Sequence, residues 1–187
     1  MCIRDRVIGS TLGNDGESSE IVVGDTSNQQ VWVDYIDAHN KRDLEKIAEI
    51  NTDNWVGYPP NGNVIRGNEA HIEFLDEWFK SPANPQWTVK WMIANKGADA
   101  EGNMQEFLTT GNDITFIDEE GNEVVENHVH DIMFENGKIR TIFVYSKPAP
   151  TSEIEEEYIN LMKSTPSLPI FSAVHFSFST MALQIGS

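Results

Sequence analysis

Apolar residues recur at helical spacing in three segments of the first half of the chain. The first segment begins at Ser27 or Asn28, either of which can cap a helix. A short second segment follows from Asp43, and a third runs from about Asn68 to Lys80. The helical positions of the first segment are Val31, Trp32, Tyr35, Ile36 and His39. The sequence therefore predicts three helices ahead of residue 81.

The apolar spacing then changes to every second residue, which is typical of strands. NWVGYPPNG, between the second and third helices, is predicted to be a strand that runs into a turn. After SPANP come two long extended runs, QWTVKWMIA and MQEFLTTGNDITFI. Alternation in the first run predicts one face formed by Trp87, Val89, Trp91 and Ile93. Helices followed by antiparallel strands indicate an α+β fold.

The last two strands, ENHVHDIMF and KIRTIFVY, are joined by Asn136 and Gly137, which favour a two-residue hairpin turn. Such a turn would pair Phe134 with Ile139, Ile132 with Thr141, His130 with Phe143, and His128 with Tyr145. We therefore expect one aromatic face that carries both histidines and is covered by the helices. We expect the opposite face to meet a second subunit through Val129, Met133, Ile142 and Val144.

Both ends of the chain are interpreted separately from this domain. MCIRDR, residues 1–6, reads as the transposon end used in sequencing libraries, so we treat it as a scar that replaces the native start. Residues 7–27 are polar and are expected to form a flexible lead-in. Such a lead-in is typical of exported or envelope-tethered bacterial proteins. Residues 148–187 are treated as a tail, disordered or artefactual, with no function assigned.

Charge and composition exclude several classes of function. Thirteen Lys and Arg stand against 30 Asp and Glu, a formal net charge of −17, so a basic surface for nucleic acid cannot be assembled. Cys2 is the single cysteine, which excludes an internal disulfide and a cysteine-based zinc cluster. The uncharged end of the chain carries Pro169 and many serines, so membrane insertion is not expected.

In order and spacing, RDLEKI, NWVGYPPNG, IRGNEAHIEFL and FENGKI resemble the NTF2-like superfamily, and within it the SnoaL-like and ketosteroid isomerase-like proteins. The resemblance covers about residues 28–147. It implies an α+β barrel of the cystatin-like kind, in which a strongly curved mixed or antiparallel sheet wraps three helices around a pocket. It also implies a homodimer. Members include isomerases, dehydratases, cyclases, epoxide hydrolases and binding proteins, so the fold does not select the function.

The resemblance assigns roles to three residues. Tyr35 matches the tyrosine that donates to the oxyanion in ketosteroid isomerase, and His130 stands where that enzyme has a protonated Asp. Tyr58 stands at the position of the general-base Asp, and tyrosine is a poor base at neutral pH. The scytalone dehydratase branch, which uses tyrosines and an Asp, suits Asp34, Tyr35 and Tyr58 better.

These observations predict a site for a small hydrophobic or cyclic molecule. The predicted catalytic residues are His130, Tyr35 and Tyr58, and the predicted ligand-binding residues are His128, Trp55, Trp78, Trp91, Phe143 and Tyr145. The alternative for each histidine is a buried ring bonded to a neighbouring tyrosine. A metal site would need His39 or His71 to join the pair, and we expect no metal and no organic cofactor.

Two functions stay open. In the first, the domain is a lyase, isomerase or cyclase, with Tyr35 and Tyr58 donating to an oxygen and His130, aided by His128, moving a proton. In the second, it is a non-catalytic ligand-binding or association domain of the same fold.

Overall fold

Three helices pack against an eight-stranded sheet in the part of the chain that the computed structural model describes, residues 6–13, 16–99 and 102–149. The helices are α1 (Ser27–Lys41), α2 (Leu44–Ile50) and α3 (Asn68–Lys80). The strands are β1 (Val7–Leu12), β2 (Ser18–Val23), β3 (Asn51–Tyr58), β4 (Ile65–Arg66), β5 (Gln86–Ala98), β6 (Met104–Ile117), β7 (Glu123–Glu135) and β8 (Lys138–Pro148). The predicted α+β class and its three helices are confirmed.

Local sequence explains the helix boundaries. The chain leaves α1 at Arg42, whose backbone is left-handed with φ 62°. Asp43 then caps α2, because its carboxylate accepts a hydrogen bond from the backbone N–H of Lys46. The two helices are therefore separated by two residues, Arg42 and Asp43. Helix α3 is anchored by Leu75, which is fully buried, and by His71.

The strand order across the sheet is β1-β2-β5-β6-β7-β8-β3-β4, with β3 and β8 parallel and the other pairs antiparallel. The sheet is thus mixed, as expected. Its inner face packs on the helices, and the residues with almost no exposed surface come from both layers: Trp32, Tyr35, Ile47, Leu75, Leu108, Ile132 and Ile139. No helix of the described residues is long and apolar enough to cross a membrane.

Residues 7–27 differ from the expected flexible lead-in. Most of this segment forms the hairpin of β1 and β2, and β2 pairs with β5 through Val22 and Val23. The pairing is explained by the short apolar run at Ile21–Val23, where Val22 is buried. The remaining expectations for the termini, on residues 1–5 and 150–187, lie outside the described residues.

A β-bulge in β5 corrects the predicted face of that strand. Val89 pairs with Asn112 but Trp91 pairs with Gly111, so one extra residue lies between them. Thr110 on β6 donates its hydroxyl hydrogen to the Trp91 carbonyl at 2.8 Å. Beyond the bulge the side chains change faces, and the Trp91 indole packs over Gly111 on the outer face, 45% exposed.

A second bulge changes the predicted register of the last hairpin. Phe134 pairs with Ile139 as predicted, but the register shifts between Met133 and Phe134 and leaves Arg140 as the extra residue. The Arg140 guanidinium reaches across to the Asn54 carbonyl on β3. From this point the pairs are Ile132 with Ile142, His130 with Val144, and His128 with Ser146.

The shift exchanges the two faces of β8. Ile142 and Val144 line the inner face with the histidines, so they cannot belong to a subunit interface on the outer face. Phe143 and Tyr145 instead lie on the outer face, 41% and 58% exposed. The predicted aromatic face around the two histidines is therefore wrong in these two positions.

Candidate functional site

A cavity lies between the helices and the inner face of the sheet. It encloses about 770 Å³ including its open mouth, and its lining comes from α1, α3 and strands β3, β4, β5, β7 and β8. Without the open mouth its volume is about 180 Å³, at the small end for a ligand pocket, and its mostly apolar lining is typical of pockets for small molecules. The cavity is therefore the candidate site.

The structure brings most of the predicted site residues to this cavity. Lining residues among them are Tyr35, Trp55, Tyr58, Trp78, His128 and His130. The other three, Trp91, Phe143 and Tyr145, lie outside it because of the two bulges. Tyr58 lines both this cavity and a larger one on the outer face, and its ring stacks on Phe143 with centroids 4.4 Å apart. Asp34 is exposed and accepts a hydrogen bond from Gln30.

Several lining residues were not among the predicted site residues. They include Trp32, His39, His71 and Trp87. A signal for two of them was present in the sequence, because Trp32 and His39 lie one helical turn before and after Tyr35. The signal for His71 was weaker, since its helix face also carries ordinary core residues.

The tautomer of His130 follows from its hydrogen bonds. An indole N–H can only donate, so the oxygen of Asn112 must be the atom that accepts from Trp32 Nε1 at 3.2 Å. The Asn112 amide nitrogen then faces His130 Nδ1 at 2.7 Å and donates to it. The hydrogen of the neutral His130 ring therefore lies on Nε2. The hydrogen bonds from Trp32 to Asn112 and from Asn112 to His130 thus leave His130 Nε2 as a hydrogen-bond donor.

The same reasoning applies to His71. The Ala48 carbonyl can only accept, so the amide nitrogen of Asn68 faces it at 2.9 Å. Asn68 Oδ1 then accepts from Asn51 Nδ2, which also donates to His71 Nδ1 at 3.1 Å. His71 therefore carries its hydrogen on Nε2. Its ring stacks on Trp55, with centroids 3.8 Å apart.

In the other two histidines, the ring nitrogen that contacts the protein donates a hydrogen bond instead of accepting one. His39 donates from Nδ1 to the Tyr35 carbonyl at 2.8 Å. His128 donates from Nε2 to the Glu126 carboxylate at 3.0 Å. In the neutral form of each ring, the other nitrogen keeps a lone pair.

Burial keeps most of these groups uncharged. Loss of solvation is the largest cause that lowers the pKa of His130 to about 3 and of His39 to about 4, and it also lowers the pKa of His71 well below its usual value. Burial raises the pKa of Tyr35 above its usual range, although the nearby Asn51 side chain, which does not meet hydrogen-bond geometry with the Tyr35 hydroxyl, opposes this. At pH 7 these side chains are neutral hydrogen-bonding groups.

Three polar atoms of the cavity residues are buried without a hydrogen-bond partner among the described residues. They are Tyr35 Oη, Trp55 Nε1 and His128 Nδ1. Two of these are donors and the third is an acceptor in the tautomer deduced above. Leaving a buried polar group unpaired costs about 1–3 kcal/mol. The cavity wall therefore offers hydrogen bonds that the described protein groups do not use.

No metal centre is formed here by the described residues. His39 and His71 do approach each other, with ring centroids 6.1 Å apart, but no group of three metal-ligating side chains is present in the described ranges. The lining also lacks a carboxylate among these residues. The site is thus built from neutral donors and acceptors within aromatic walls.

Comparison with known proteins identifies similar folds. Residues 32–142 match the family model of the SnoaL-like domain. No curated protein has a significantly matching sequence. Among solved structures, a protein of Kribbella flavida DSM 17836 assigned as a ketosteroid isomerase is 16% identical, with 66% of this chain and 80% of that chain covered and a TM-score of 0.52.

Two further structures have TM-scores of 0.53. A protein of Jannaschia sp. CCS1 assigned as a SnoaL-like polyketide cyclase is 12% identical, covering 75% of this chain and 94% of that chain. An LEH-like epoxide hydrolase of M. tuberculosis is 13% identical, covering 75% of this chain and 98% of that chain. At such identities the likeness shows the fold alone.

Proposed function

The chain belongs to the SnoaL-like domain family, and we propose that its cavity binds a small, mostly apolar, ring-shaped molecule that carries a carbonyl or hydroxyl oxygen. The ligand's ring contacts the aromatic walls, and its oxygen accepts hydrogen bonds from the buried donors. The observation that carries the proposal is the pair of unpartnered donors, Tyr35 Oη and Trp55 Nε1, in the wall of an aromatic cavity.

His130 belongs to the same donor set. Its Nε2 carries the hydrogen because Asn112 occupies Nδ1, and with a pKa of about 3 it stays neutral across the physiological range. We therefore assign His130 to donation toward the ligand oxygen rather than to carrying a proton. Its ring packs against Trp32, with centroids 5.2 Å apart, which limits its reorientation.

The shape of the ligand follows from the walls. Trp55 is held parallel to His71, and Trp78 meets Trp87 edge to face with ring centroids 5.3 Å apart. Flat aromatic surfaces of this kind suit flat or ring-shaped molecules, and the absence of lining carboxylates among the described residues disfavours cations. We assign Tyr58 and Trp78 to contacts with the ring of the ligand.

A matched pair of probes tests the oxygen requirement. The bicyclic ketone 2-tetralone and the hydrocarbon tetralin have the same ring system, and only the first offers an oxygen. We expect 2-tetralone to bind at least tenfold more tightly in isothermal titration calorimetry, because tetralin leaves the donors unpaired. Equal affinities would contradict the proposed oxygen site, and binding of neither probe would contradict the ligand pocket.

A variant with an outer-face control locates the effect. Tyr35→Phe removes one donor and keeps the ring, so it should weaken 2-tetralone binding about three- to tenfold and leave tetralin unchanged. Tyr145→Phe removes a hydroxyl from the outer face and should change neither affinity. An unchanged preference for the ketone in Tyr35→Phe would exclude this hydroxyl from the oxygen site.

A further inference from the structure

A second cavity lies on the outer face of the sheet, opposite the helices. It has a volume of about 570 Å³, and its lining comes from β1, β2, β3 and the strands β5 to β8. We call it the outer groove. Aromatic rings and a methionine form much of its lining: Tyr58, Phe107, Met133, Phe143 and Tyr145. The outer groove is therefore large enough for a small molecule.

The hairpin of β1 and β2 forms one wall of the outer groove. Thr11 and Ile21 are its lining residues, and Ile21 packs over Gly97 on β5, where an added Cβ would lie 3.8 Å from the Ile21 side chain. The hairpin precedes residues 32–142, which match the SnoaL-like domain. This wall of the groove therefore lies outside the part of the chain that the family match covers.

One charged side chain, Asp131 on β7, is present among the described lining residues of the outer groove. It pairs across the sheet with Thr109 on β6 and Phe143 on β8. The Thr109 hydroxyl donates to Asp131 Oδ1 at 2.7 Å. Asp131 is half-buried, yet no lysine, arginine or histidine in the described ranges forms an ion pair with it. A carboxylate that is partly removed from water is commonly paired with a cation, and this one lacks such a partner within the described protein.

We propose that the outer groove binds a small organic cation, namely an amine or ammonium compound with an apolar substituent. Asp131 supplies the opposite charge, and the rings of Phe143 and Tyr145 attract the cation through their negative faces. The formal net charge of −17 also attracts cations to this protein. The inner cavity has no carboxylate among its described lining residues, so the two cavities suit different ligands.

A second copy of the chain is the alternative occupant of this face. In a twofold dimer the same surface patch of each copy meets the other. The described lining of the outer groove contains no lysine and no arginine, so a symmetric partner brings no cation from this patch to Asp131. A dimer through the outer face would still leave the carboxylate without an opposite charge, and a small cation supplies it.

A charged probe and a neutral probe of nearly the same shape test the proposal. 2-Phenylethylamine is a cation at pH 7, as the lysine side chain is, whereas 2-phenylethanol is neutral. In isothermal titration calorimetry, wild-type protein should bind the amine at least about tenfold more tightly than the alcohol.

Two variants with the same change in net charge locate the effect. Asp131→Asn keeps the shape of the side chain and an acceptor for the Thr109 hydroxyl, so it should weaken amine binding about tenfold and leave alcohol binding within about threefold. Asp53→Asn removes an exposed carboxylate from β3, outside the groove lining, and should change the amine affinity less than about twofold.

Methionine methyl signals give a second measurement, which also decides the matter should Asp131→Asn fail to fold. Met133 lines the outer groove, whereas Met92 packs against the core. In protein labelled with ¹³C-methyl methionine, the amine should shift the Met133 signal, assigned with Met133→Leu, and leave the Met92 signal unchanged.

Several results would overturn the proposal. They are equal wild-type affinities for the amine and the alcohol, an undiminished preference for the amine in folded Asp131→Asn, and amine binding that leaves the Met133 signal unshifted. Absence of amine binding would overturn it as well, and light scattering of the same sample then shows whether a second copy covers the groove. The ligand proposed for the inner cavity is tested separately with 2-tetralone, so the two proposals fail independently.

Discussion

Mild acidification should destabilise this protein through its buried histidines. His39, His71 and His130 are each less than a tenth exposed. Burial lowers the pKa of His130 to about 3 and of His39 to about 4, and lowers that of His71 well below its usual value. In an unfolded chain the same side chains titrate near pKa ~6.5. Below this pH the unfolded state binds more protons than the native state, so the free energy of unfolding falls as pH falls.

The size of the effect can be worked out for pH 5. A histidine has a pKa of ~6.5 in the unfolded chain, and pH 5 lies about 1.5 units below this value. If its folded pKa is 4 or lower, proton binding at pH 5 stabilises the unfolded state by about 2 kcal/mol relative to the native state. His39 and His130 together should therefore lower the free energy of unfolding by about 4 kcal/mol between pH 7 and pH 5. His71 acts in the same direction. Domains of this size are commonly stable by about 5–15 kcal/mol, so the loss is readily measured.

Urea titrations followed by tryptophan fluorescence at pH 7, 6 and 5 give the required free energies. The carboxyl groups with lowered pKa values, Asp25, Asp113 and Asp118, affect stability mainly below pH 4.5 and do not obscure this range. His39→Gln should reduce the pH dependence by about 2 kcal/mol relative to wild type. Equal free energies of unfolding at pH 7 and pH 5 would refute the neutral burial of these rings.

Two further predictions concern packing and assembly. Gly57→Ala should lower the free energy of unfolding by about 1–3 kcal/mol in urea titrations, because the added Cβ would lie 2.3 Å from Trp55 Cη2. Gly97→Ala meets only an ordinary contact with Ile21 at 3.8 Å and should have little effect; equal behaviour of the two variants would contradict the position of Trp55. A homodimer through the outer face should appear in light scattering at micromolar concentration, and Tyr145→Lys should give monomers. A monomeric wild-type protein would contradict this interface.

Elements with a strong local signal were predictable from the sequence. The helical spacing around Trp32 and Tyr35 located α1, and the Asn136–Gly137 turn located the hairpin of β7 and β8. Tyr35, on the same helix face as Trp32, lies in the cavity wall. These predictions succeed because residues close together in the chain determine them.

The faces of long strands could not be predicted in the same way. Alternation assigns every second residue to one face, and one extra residue reverses the assignment for the rest of the strand. The bulge before Trp91 coincides with a hydrogen bond from Thr110 on the neighbouring strand, and the bulge at Arg140 coincides with its contact to Asn54 on β3. Both contacts join residues distant in sequence, so strand alternation alone predicts the wrong side for Trp91, Phe143 and Tyr145.

Unpaired polar atoms distinguish this cavity from an ordinary aromatic core. Phenylalanine at position 35 would fill almost the same volume without an unpaired hydroxyl, and an apolar ring at position 128 would leave no buried lone pair. Each unpaired group costs about 1–3 kcal/mol, which is large beside the net stability of a domain. His130 differs from these groups, because Asn112 and Trp32 determine the orientation of its hydrogen through hydrogen bonds. A wall that combines costly unpaired groups with a fixed donor supports the proposed oxygen-bearing ligand, which would supply their missing partners.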